Sequence, residues 1–190
     1  MRNVDERLNE ALERLTSDDF LSGKGLGNEI AFYVFDYSPE DEPRVRERVP
    51  SLVASAALRR PDVRVRHVDL LRLTADYLSQ RGLLEKALQL QRSKGDAALL
   101  KSLSGPLRAD RMAQEFARAA EPEQHDVILA TGVGAVYPML RTHGLLNNLQ
   151  SLMRSKPLVL FFPGHYDGQQ LRLFDLLRDE NYYRAFRLVP

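Results

Sequence analysis

The sequence predicts an α/β domain with a mostly parallel central sheet of four or five strands and helices on both faces. Three observations predict it. Residues 127–130 and 158–162 are short apolar runs, the first bounded by Asp126 and Gly132, the second stopped by Pro163 and Gly164. Between them, from Pro138 onward, Leu140, Leu145, Leu146, Leu149 and Leu152 recur at helical spacing. A run, a turn, an amphipathic helix and a second run form the βαβ signature, which closes only with parallel strands. Both runs are also continuously apolar, as strands covered on both faces are, so this unit belongs at the middle of the sheet.

The remaining elements follow in order. Val4, Leu8, Ala11, Leu12 and Leu15, with charges between them, predict an amphipathic helix within residues 1–20. Residues 21–190 then supply the sheet and crossover helices of a single domain spanning 1–190. Gly23, Gly25 and Gly27 mark a pliable loop. Strands are expected at 29–35, 64–69, 127–131, 158–162 and 184–189. A helix should start near Ser38-Pro39, where a hydroxyl, a proline and three acids suit a helix N-terminus, and run to about Leu58. Further helical regions cover 71–91, with a break at Gly82, and 97–120, with a break at Pro106. Leu171, Phe174 and Leu177 slightly favour helix over strand for that segment.

Composition narrows the function. The 190 residues carry 27 basic and 26 acidic side chains, a net charge of +1, which gives no bulk drive toward nucleic acid or an anionic membrane. No apolar run approaches the ~18 residues of a membrane span. The absence of cysteine excludes thiolate chemistry, and with no signal-peptide pattern the expected location is cytoplasmic.

No motif for phosphate or nucleophile chemistry is complete. The Walker string is absent, and the turn at Gly132 and Gly134 has Tyr137 where a dinucleotide fingerprint needs a small residue. No Gly-x-Ser-x-Gly elbow follows a strand. His67, His125, His143 and His165 show no metal-ligand spacing. No catalytic, metal or cofactor-binding residue is therefore expected, and no cofactor. Asp36, Tyr37, His165, Tyr166 and Asp167 lie at carboxyl ends of predicted strands, where ligands of open α/β sheets sit, and form a candidate cleft. The bland reading makes the two aspartates turn residues bonded to their own backbone. Tyr182, Arg184 and Arg187 in the tail, and Arg141, His143 and Asn147 at the crossover helix, are candidate partner-binding residues, since Tyr and Arg dominate interface hot spots. Arg59, Arg60, Arg64, Arg66 and Arg72 form a basic run near the second strand, read either as charge protection of an edge or as a nucleic-acid patch.

Four strings together carry a resemblance: NEIAFYVFDYSPEDEPRVR, GVGAVYPMLRTHGLLNNLQ, PLVLFFPGHYDGQQLRLF and NYYRAFRLV. They resemble the BrxB family of bacteriophage-exclusion (BREX) systems, over about residues 28–189. The resemblance implies a small component of an antiphage defence operon, alongside an ATPase, an adenine methyltransferase and PglZ, an alkaline-phosphatase-like protein. The family carries no established catalytic activity, so no catalytic residue transfers. The expectation is a non-enzymatic adaptor that binds a protein of the same operon, most plausibly the PglZ-type protein or else the ATPase. The alternative is a nucleotide- or DNA-binding domain acting at the strand-end cleft. This chain departs from the family pattern at Tyr137, where Phe is usual, and at Asp175, where Gly is usual; the second change supports a helix from Leu171 onward.

Overall fold

The computed structural model describes residues 3–22, 31–153, 155–178 and 184–190. Helix α1, Val4–Leu15, is capped by Asn3, whose side chain accepts from the Asp5 amide. The short α2, Asp18–Leu21, follows Ser17 as its cap. Strand β1, Phe32–Tyr37, leads through a 3-10 turn at Pro39–Asp41 into α3, Glu42–Arg59. Strand β2, Val65–Asp69, passes directly into α4, Leu70–Gln80, with Asp69 as both last strand residue and helix cap. Then come α5, Leu84–Leu103, and α6, Ala109–Ala120. The predicted breaks at Gly82 and Pro106 separate these three helices. The break expected near Gly95 is a kink inside α5, where Gly95 takes φ 79°.

Strand β3, Val127–Thr131, is followed by α7, Val133–Val136, and α8, Thr142–Leu149. The crossover helix thus begins at Thr142 rather than Pro138. Proline disfavours helical backbone in the residue before it, and Tyr137 is extended at ψ 140°. Strand β4, Leu158–Tyr166, runs past Pro163-Gly164, where the sequence reading ended it. At that point β4 exchanges its parallel partner β1 for an antiparallel hairpin, β5 (Leu171–Leu173) and β6 (Leu177–Arg178). The helix favoured from Leu171 is therefore corrected to a hairpin. Its turn holds Phe174 at φ 55° and Asp175 at φ 60°; Asp enters that region more readily than most residues, so a glycine is dispensable. Strand β7 is the short Phe186–Arg187.

The sheet order is β2-β3-β4-β1-β7, parallel throughout, with the hairpin attached to the end of β4. The β3–β4 pair sits at its centre, as the apolar runs predict. Alternation splits the strands between two cores. Phe32, Val34, Ile128, Ala130, Leu158, Leu160 and Phe162 face the helices that follow β2 and β3. Tyr33, Phe35, Val127, Leu129, Val159 and Phe161 face α1 and α3. The chain leaving β1 therefore goes to one face and the chain leaving β2 and β3 to the other. The sides change between the neighbours β1 and β4, which is where open α/β sheets place their crevice.

Candidate functional site

The crevice between β1 and β4 is filled by the protein itself. Asp36 and Tyr37, read as a turn, are the last two residues of β1. The Asp36 carboxylate accepts from Arg7 Nη2 at 2.9 Å and from the Tyr166 amide at 3.0 Å. Arg187 Nη2 lies 3.6 Å and His165 Nδ1 3.7 Å from the same carboxylate. The Arg7 guanidinium also donates to the Asp36 and Pro190 carbonyls and lies 5.0 Å from the Phe35 ring centroid. Arg187 further donates to the Tyr166 carbonyl. Asp36, His165 and Tyr166 do converge, as the strand-end argument expects, but they converge on arginines.

The other two cleft candidates are elsewhere engaged. The buried Tyr37 donates to Glu42, and burial together with that carboxylate pushes its phenol pKa upward. Asp167 accepts from the amides of Gln169 and Gln170 at 2.8 and 2.7 Å, and those bonds hold its carboxyl below the usual range. That is the backbone-bonded turn of the bland reading. The glycine turn after β3 is likewise occupied: a Cβ on Gly134 would come within 2.7 Å of the Phe174 ring. Among the described residues no group of three or more His, Asp or Glu is placed to hold a metal ion.

Four of the five arginines in the basic run near β2, all but Arg59, are paired with acids in place. Arg60 pairs with Asp62 and Asp18, Arg64 with Asp126, Arg66 with Glu121 and Arg72 with Asp76. Strand β2 is an edge of the sheet, in line with charge protection of an edge.

A pocket of about 600 Å³ opens on the same side of the sheet as α6 and α8. Its apolar part includes Leu107, Leu140, Phe162, Leu171 and Leu173, all buried. Its polar part comes from the first turns of two helices: Arg108 and Ala109 at α6, and Arg141, Thr142, His143 and Gly144 at α8. The two helices meet there because Gly144 lacks a side chain; a Cβ would stand 3.1 Å from that of Ala109. Arg108 forks onto Asp110 with two bonds of 3.0 Å. Arg141 is exposed and has no carboxylate partner among the described residues. His143 Nε2 lies 2.8 Å from Asn147 Nδ2. Among the described residues the pocket lining contains no Asp or Glu.

The structure thus brings Arg141 and His143 to one pocket, with Asn147 beside them. Arg184 is exposed at the far edge, Arg187 turns inward to Asp36, and Tyr182 lies outside the described residues. Residues 66–188 match the family model described as BREX protein BrxB. The chain belongs to the BrxB family. A family member from Bacillus cereus (strain H3081.97), named BREX protein BrxB, is 39% identical across 100% of this chain and 99% of its own length. Another of that name, from Escherichia coli O9:H4 (strain HS), is 35% identical across 98% of this chain and 92% of its own. No solved structure matches this chain.

Sequence reasoning missed Arg7 and the hairpin's share in the pocket. Arg7 follows Val4 by three residues and precedes Ala11 by four, which puts a cation on the buried stripe of α1. That position was the signal.

Proposed function

We propose that this BrxB-family chain is a non-enzymatic adaptor of a BREX antiphage defence system, holding another protein of that system. A PglZ-type phosphatase-like protein is the favoured partner and the ATPase the next. The observation that carries the reading is the arginine-rimmed apolar pocket, with Leu177 of its lining 40% exposed and the neighbouring turn residue Leu176 82% exposed. Large aliphatic side chains kept in water beside a built pocket fit a surface that another protein covers. The occupied crevice supports the same choice over a nucleotide- or DNA-binding domain, because the strand-end carboxylate there is already bonded to arginine.

Affinity purification of the chain from cells expressing the whole operon, at two salt concentrations, tests this. A stoichiometric operon protein should be retained at low salt. Elution of the chain alone under both conditions, or retention of nucleic acid with a steep salt dependence, would overturn the adaptor reading.

A further inference from the structure

We infer that the pocket between α6, α8 and the β5–β6 hairpin takes an acidic peptide segment of the partner, with an aliphatic side chain seated among the leucines. The inference rests on the adaptor reading and names the chemistry the partner must present.

Three features carry it. First, among the described residues every charged side chain lining the pocket is an arginine, and the other polar side chains there include the Ser104, Thr142 and Tyr137 hydroxyls. A carboxylate arriving there meets the Arg141 guanidinium and hydroxyl donors; a cation meets no carboxylate among the described lining residues. Second, Arg141 has no carboxylate partner among the described residues, whereas Arg60, Arg64, Arg66 and Arg72, and Arg108 at the same pocket, are each tied to an acid of this chain. Third, the apolar surface does not stop at the mouth. Leu177 lines the pocket and is 40% exposed, and the next residue back in the hairpin turn, Leu176, is 82% exposed. A peptide crossing the mouth covers Leu177 and drops one side chain inward. A mononucleotide fits less well: among the described residues no Asn or Gln lines the pocket to read a base edge.

The test selects phage-displayed random dodecapeptides against the purified full chain, then measures the enriched peptide by fluorescence polarisation. Enriched sequences should place Asp or Glu within about four residues of Leu, Ile, Met or Phe, the spacing that an extended or helical segment needs to reach rim and floor together. Arg141→Glu and Leu177→Asp should each weaken binding at least about tenfold, with thermal midpoints near that of the parent, since both side chains are exposed. Arg59→Glu, away from the pocket, should bind as the parent does. No enrichment, enrichment of basic peptides, or undiminished binding by Arg141→Glu would overturn the assignment. Displacement of the peptide by AMP would overturn it too, in favour of a small-anion site. If the operon partner is retained while the peptide result fails, the pocket is discarded and the adaptor reading stands. If the peptide binds while no operon protein is retained, the pocket chemistry holds and the adaptor reading falls.

Discussion

Asp36 and Arg7 form an ion pair whose side chains are only 6% and 8% exposed. Two charges withdrawn from water this far are held by each other and by the backbone around them. Removing one strands the other, which costs about 3–5 kcal/mol. Asp36→Leu should lower the unfolding free energy in urea by that amount, and adding Arg7→Met should restore part of it. A double variant no more stable than Asp36→Leu would mean that the loss comes from packing. His67, at 2.8 Å from Thr131 Oγ1, gives a pH prediction. Burial lowers its pKa, with Asp69 opposing more weakly. Below the ordinary histidine value of about 6.5 the unfolded chain takes up a proton that the folded chain resists. Stability should therefore be full above about pH 6.5 and fall as pH drops toward the lowered folded value. His67→Gln should flatten that part of the urea-midpoint profile. The sequence points to strand ends as the place where Asp36, His165 and Tyr166 meet. It does not say that arginines from the first helix and last strand also arrive there, because Arg7 and Arg187 are respectively 29 and 151 positions from Asp36.

The hairpin after β4 was the least legible element. Leu171, Phe174 and Leu177 are three apart, which mimics a helix, while the β5 alternation lasts only three residues. Its turn lacks Asn-Gly, so the usual hairpin signal was missing. Two non-glycine residues at positive φ are strained, at about 1–2 kcal/mol each for a left-handed conformation. Asp175→Gly should then raise the unfolding free energy by about 1 kcal/mol, measured by urea denaturation. Gly164 is the opposite case. It takes φ 149°, and a Cβ there would collide with the Arg172 carbonyl where β5 pairs with β4. Gly164→Ala should destabilise by at least about 1–3 kcal/mol and loosen the hairpin, read as faster amide exchange at Leu173 and Phe174. The helices were more legible, because apolar spacing, Gly82 and Pro106 bound them, and the crossover helix moved only where Pro138 forced extended backbone on Tyr137.

At the scale of the molecule, two cores are divided by one sheet, and the residues the sequence marks as interior are interior. Ile128, Leu129, Leu158, Val159, Leu160 and Phe161 are all buried. Leu160→Ala should cost about 2–5 kcal/mol, as buried leucine truncations do. Strand order was harder to read than strand existence, since apolar runs say that a strand is central without saying beside which other strand. That order has a consequence for synthesis. Among the described residues strand β1 pairs only with β4 and β7, so the aromatic-rich Phe32–Tyr37 acquires its first partner at Leu158. At roughly 5–20 residues per second, translation separates Tyr37 from Leu158 by about 6–24 s. Throughout that interval both edges of an aromatic-rich strand stand open to any other chain. Nascent chains arrested before residue 158 should therefore sit bound to a holdase on the ribosome, and those arrested after Leu188 has emerged should have let it go.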